Sequence, residues 1–182
     1  MSSDSVGKAA WVRSAVHRYE APLTRYAFAI TGDVERARDV VQDTFLRLCS
    51  QSAARLNEHL APWLFKVCRN RALDVRKKEA RMKLLAQGHT ESRQSPEPLQ
   101  SAELERNETL RGVLEHLSAL PENQREVLRL KFQNDLSYRE ISEVTGLSVS
   151  NVGFLIHRGL RSLRQKLGRN ARGDAEPMRK LR

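Results

Sequence analysis

The chain has 182 residues, with 32 Lys and Arg against 22 Asp and Glu for a formal charge of +10; this favours an anionic partner and fits one domain or two small ones. There is no run of 18 apolar residues, and the start, MSSDSVGKAA, holds no apolar signal core, so neither a membrane span nor a secretory leader is expected and the protein reads as cytoplasmic. Aromatic content is 5% and no β-rich stretch stands out, while the prevalence of Leu, Arg, Ala and Glu predicts an all-α fold. Cys49 and Cys68 lack zinc-like or C-x-x-C spacing and read as reduced, partly buried thiols that hold no metal.

A first helical region, AWVRSAVHRYEAPLTRYAFAI, ends near Ile30, with Pro22 marking a break or a restart. Tyr19, Leu23, Tyr26, Ala27 and Ile30 are its predicted core. After a Thr31-Gly32-Asp33 turn, VERARDVVQDTFLRLCS sets Val34, Ala37, Val41, Phe45 and Leu48 on one helical face. Asp39, Gln42 and Asp43 share the other face as an acidic patch that, taken alone, is a solvated surface. A loop over Gln51–Ala61 follows, and Pro62 suits the first turn of the next helix, PWLFKVCRNRALDVRKKEAR. Leu64, Val67, Cys68, Ala72 and Val75 form its buried side. Trp63, Lys66, Asn70, Asp74 and Lys77 run along the opposite side. An aromatic, an amide and cations on one face fit single-stranded nucleic acid, where stacking gives ~1–3 kcal/mol per base; on this helix alone the favoured reading is the plainer one, that Trp63 caps the core and the lysines are solvated.

From Gln87 to Ser101 the composition turns to QGHTESRQSPEPLQS, an interdomain linker. Two amphipathic helices follow, AELERNETLRGVLEHLSAL and then PENQREVLRLKF from Pro121, the second offering Val127, Leu128 and Leu130 to a core. The stretch SYREISEVTGLSVSNVGFLIHRGLR, Ser137–Arg161, then reads as a helix-turn-helix. Ser137 with Glu140 makes a capping box, Leu136 with Ile141 a hydrophobic staple, and Gly146 a left-handed helix end. Leu147, Ser148 and Val152 repeat the staple and cap for the second helix. Val149, Val152, Ile156, Leu160, Leu163 and Leu167 give that helix an apolar stripe, leaving Ser150, Asn151, Phe154, His157, Arg158 and Arg161 able to reach base edges and phosphates. Between Val144 and Gly173 there is no Asp or Glu, so a phosphate backbone is attracted there. A helical hairpin with a solvated basic face is the plainer reading of the same pattern. The tail RNARGDAEPMRKLR after Gly168 has no apolar period.

The order and spacing of DVVQDTFLRL, PWLFKVCRNRALDVRKK, LPENQREVLRL and LSYREISEVTGLSVSNV resemble the extracytoplasmic-function (ECF) group of bacterial sigma factors over nearly the whole chain. The resemblance implies two small helical domains, a region 2-like bundle over 10–81 and a region 4-like helix-turn-helix domain over 102–168, with a flexible linker at 82–101 and a basic tail at 169–182. It implies that Asp39, Val40, Gln42, Asp43, Phe45 and Leu48 dock on the β′ clamp helices of core RNA polymerase, and that the second domain meets the β flap. Trp63, Lys66, Asn70, Arg71, Asp74 and Lys77 match the part that reads and melts the minus-ten element, with the Gln51–Ala61 loop holding a flipped base. The helix from Ser148, through Ser150, Asn151, Phe154, His157, Arg158 and Arg161, matches the reader of the minus-thirty-five duplex. Many members carry Arg or Lys where this chain has Gly153 and Phe154, so the family role does not transfer to those two positions. Members are often held by an anti-sigma factor.

The rival readings are an operator-binding regulator with a dimerising or sensing N-terminal half, and a helical enzyme. A regulator has no need of the Asp39, Gln42 and Asp43 patch beside a Trp-bearing basic helix. His17, His59, His89, His116 and His157 are scattered without a recognisable carboxylate or Cys partner, so neither catalysis nor a cofactor is expected.

Overall fold

The computed structural model describes residues 3–56, 59–86 and 116–173, giving at 3–6, 86 and 166–173 the backbone path alone. The described residues form helices α1 (Ser3–Thr31), α2 (Val34–Cys49), α3 (Ala53–Leu56), α4 (Leu60–Ala86), α5 (Glu122–Phe132), α6 (Tyr138–Thr145) and α7 (Val149–Gly173), and they include no strand. The predicted linker over Gln87–Ser101 and most of the helix before Leu120 lie outside the described residues.

Helices α1, α2 and α4 pack together as the first lobe. Pro22 lies inside an unbroken α1, which corrects the expected break. Proline removes one backbone bond at a cost of about 3 kcal/mol, but Leu23, Tyr26 and Ala27 beside it are buried, and burial of large side chains at about 1.5–3 kcal/mol each outweighs that loss. The α1–α2 corner forms as its residues dictate: Gly32 takes φ 74°, and the Asp33 carboxylate accepts the Arg36 N–H at 2.9 Å to cap α2. On α2 the buried stripe is Ala37, Val40, Val41, Thr44 and Leu48. It is turned slightly from the predicted one, leaving Val34 and Phe45 half-buried. The buried Thr44 hydroxyl donates to the Val40 carbonyl at 2.8 Å, so no polar atom is orphaned there. Phe65, unanticipated, joins Leu64, Cys68 and Ala72 in the core and meets the Tyr26 ring edge-on at 5.3 Å.

Two boundaries differ from expectation. Helix α4 begins at Leu60 and not Pro62; the Trp63 N–H donates to the His59 carbonyl, and Pro62 occupies the first turn, where an N–H is not needed. The loop before it contains the single-turn α3. Cys49 is exposed, contrary to the expected partial burial, because it ends α2 one position beyond the buried Leu48.

In the second lobe α5, α6 and α7 pack around Val127, Leu128, Leu130, Leu136, Ile141, Val144, Val152, Leu155 and Ile156. Ser137 accepts the Glu140 N–H while the Glu140 carboxylate accepts the Ser137 N–H at 2.7 Å. Gly146 closes α6 at φ 77°. Ser148 then accepts the Asn151 N–H at 3.2 Å and starts α7, so the predicted elbow of Gly146, Leu147 and Ser148 is present. Val149 departs from its predicted stripe, being 47% exposed. Leu155 takes part of its place in the core. Helix α7 continues to Gly173, five residues into the predicted tail. The lobes also touch: α6 lies against α4, and charged side chains of α5 reach α1 and α4.

Candidate nucleic-acid and protein interfaces

Three surfaces collect the predicted site residues. On α2, Asp39 and Gln42 are exposed and Asp43 is half-buried. Arg71 of α4 donates from Nε to Asp43 Oδ2 at 2.7 Å, joining two residues that the sequence assigned to different partners. Val40 and Leu48, expected in the same interface, are 1% and 0% exposed. They fix α2 to the core and present no surface to a partner, which corrects that part of the assignment. Leu46, which the sequence reading missed, is 60% exposed. It borders an open groove between α1 and α2 with Val12, Val16, Phe45 and Cys49; its position one residue outside the stripe was the available signal.

On α4, Lys66, Asn70, Asp74 and Lys77 are all exposed in a row at helical spacing. Trp63 at the head of this row is half-buried and packs on the core, so it serves as core cap and as the partly open aromatic end of the row. The adjacent edge of α4 turns to α5. Arg69 donates from Nε to Glu126 Oε1 at 2.7 Å and from Nη2 to Oε2 at 3.1 Å, and the Tyr26 hydroxyl donates to Oε1 at 2.7 Å. Arg76 pairs with Glu122 one turn away. Burial, and then the Glu126 charge, pushes the Tyr26 hydroxyl well above its usual range, while the bond to Glu126 raises Arg69. Neither the Glu126 network nor the seam it occupies was legible in the sequence.

On α7, Ser148, Ser150, Asn151, Phe154, His157, Arg158 and Arg161 are all exposed. Phe154, at 57% exposure, does not enter the core. The Arg158 guanidinium lies 5.9 Å from its ring centroid, within cation–π range. Gly153 sits beneath the Tyr138 ring, where an added Cβ would lie 3.5 Å from the ring edge. Tyr138, exposed and next to Lys131, extends this surface onto α6, an addition the sequence reading missed although the residue follows the cap directly. Cys68 is buried, which pushes its thiol to about 12, and no group of three potential metal ligands occurs among the described residues.

The geometry therefore presents an acidic edge on α2, a row with an aromatic head and cations on α4, and a basic, carboxylate-free face on α7. Residues 15–82 match the family described as Sigma-70 region 2, and residues 110–163 match Sigma-70, region 4. The ECF RNA polymerase sigma factor SigL of Mycobacterium tuberculosis is 33% identical over 176 residues, covering 92% of this chain and 97% of that protein. The chain is an ECF sigma factor of the sigma-70 family. A second relative, the ECF sigma factor SigM of Bacillus subtilis, is 29% identical over 161 residues, covering 86% of this chain and 94% of its own. Among solved structures, the sigma factor RpoE of Bartonella quintana, in complex with the anti-sigma factor NepR, superposes with TM-score 0.62 at 20% identity over 86% of this chain and 96% of its own, a likeness of fold. As a sigma factor the protein directs core RNA polymerase to promoters and is not an enzyme. The operator-binding regulator is set aside, because region 2 fills the half that a sensing domain would occupy. No described helix is long and apolar enough to cross a membrane.

Proposed function

We propose that this sigma factor divides promoter recognition among the three surfaces. The α2 edge, formed by Asp39, Gln42, Asp43 and Phe45 with Leu46, meets the β′ clamp helices of core polymerase; the second lobe meets the β flap. The row Trp63, Lys66, Asn70, Asp74 and Lys77, with Arg71 beside it, engages and helps melt the minus-ten element. The α7 face reads the minus-thirty-five duplex. In this reading residues 10–81 and 102–168 act as separate working units, the chain between them is a tether, and the protein works in the cytoplasm beside its polymerase. An anti-sigma factor, such as the one in complex with the Bartonella protein, is the regulator this arrangement suits.

The observation that carries the reading is the outward face of α7. Every side chain assigned to base or phosphate contact is exposed, and no carboxylate lies between Val144 and Gly173 to repel a phosphate backbone. Arg158 provides the test, by binding to matched and scrambled minus-thirty-five duplexes. Arg158→Ala is expected to weaken the matched duplex by about 1–3 kcal/mol and the scrambled one much less, as for a base contact. An equal loss on both would reduce Arg158 to a phosphate contact, and no loss on either would remove α7 from the interface.

A further inference from the structure

The seam between the lobes has two parts, the packing of α6 on α4 and a charged cluster where α5 meets α1 and α4. Glu126 lies at the centre of the cluster, accepting three bonds from two elements of the first lobe. With Arg69 at 21% and Glu126 at 17% side-chain exposure, the pair is largely withdrawn from water. Glu122, one turn before Glu126, pairs with Arg76. Between these contacts a cleft remains, lined by Ile30, Leu73, Asn123 and Arg129 among others. At the α5 side of the seam, charged pairs around a gap are what separable domain contacts look like.

This closed arrangement conflicts with the reach required of it. A compact chain of this length has a radius of gyration of about 16 Å and so spans about 40 Å. The minus-ten and minus-thirty-five elements stand roughly 25 base pairs apart, or about 85 Å along the duplex at ~3.4 Å per base pair. A protein with α5 bonded to α1 and α4 cannot touch both.

We propose that Glu126, gripped by Tyr26 and Arg69, is a latch that holds this sigma factor closed and must release before both promoter elements are engaged. The inference rests on the proposed division of labour between the lobes. Removing one partner of a withdrawn charge pair leaves the other unsatisfied in the closed form alone, since opening returns it to water. Weakening the latch therefore shifts the population towards the open form, and apparent polymerase affinity rises with the fraction that is competent.

The test uses the full chain, with small-angle scattering of the free protein and titration against core polymerase. Glu126→Gln is expected to raise the radius of gyration by a quarter or more and to bind polymerase at least five-fold tighter. Tyr26→Phe, which keeps the ring against Phe65, should move both readouts in the same direction by less, and it decides the matter if Glu126→Gln fails to fold. The exchange Arg69→Glu with Glu126→Arg should restore compaction. A folded Glu126→Gln protein with unchanged dimensions, or an expanded one with unchanged polymerase affinity, would overturn the latch. Scattering needs no polymerase, so it judges the latch even if the polymerase assignment fails.

Discussion

Gly153 and Gly159 stand on the same helix under opposite constraints. A Cβ at Gly153 would meet Tyr138 at 3.5 Å, an ordinary contact, whereas one at Gly159 would come within 2.9 Å of Leu128 Cδ1, and Leu128 is itself buried. Alanine gains about 0.5–1 kcal/mol over glycine inside a helix, while forcing an extra carbon into a packed core costs about 1–3 kcal/mol. Gly153→Ala should therefore raise the melting temperature and Gly159→Ala should lower it; thermal unfolding followed by circular dichroism reads both. The sequence exposed Gly153 as a local anomaly but gave no hint that Gly159 of α7 faces Leu128 and Gln124 of α5, since a glycine contact depends on what faces it. Cys68 offers a residue-scale test in pH. Its folded value of about 12 lies above the reference of 9.0, so the folded state holds the proton longer. Its contribution is full below pH 9 and is lost as pH rises through about 12. Stability should fall across that window, and less steeply in Cys68→Ala. A thiol reagent should label the exposed Cys49 at once and Cys68 only on unfolding.

At the scale of elements, the helix-turn-helix was the most legible part of the chain. Its signals are local and mutually consistent: Ser137 and Glu140 cap each other, Gly146 turns left-handed, and Ser148 caps α7. Side-chain partnerships between elements were not legible. Asp43 and Arg71 are 28 positions apart, and nothing in either segment says that they meet. That pair sharpens the test of the α2 edge. Asp43→Arg should abolish co-purification with core polymerase, but it also sets two cations face to face. Exchanging the residues, Asp43→Arg with Arg71→Asp, renews the ion pair inside the lobe. If polymerase reads the charge on α2, the exchanged protein folds normally and still fails to co-purify. Recovery of binding would show that only the internal pair matters. Val40 and Leu48 illustrate the same limit: their spacing suits either face of α2, and only packing against α1 and α4 decides that both point inward.

At the scale of the molecule, two helical lobes could be inferred because the composition changes sharply at Gln87–Ser101 and apolar periods resume beyond it. The contact between the lobes could not: its charged side chains are spaced like an ordinary solvated surface, and the packing of α6 on α4 depends on which helices meet. The central claim is that one chain couples polymerase binding to the choice of promoter. The most direct measurement is run-off transcription by purified core polymerase on a promoter library, with and without this protein. The account predicts transcripts that appear only with the protein and start downstream of a shared bipartite motif spaced as minus-thirty-five and minus-ten elements. Duplex binding by the protein without any new start site would contradict it.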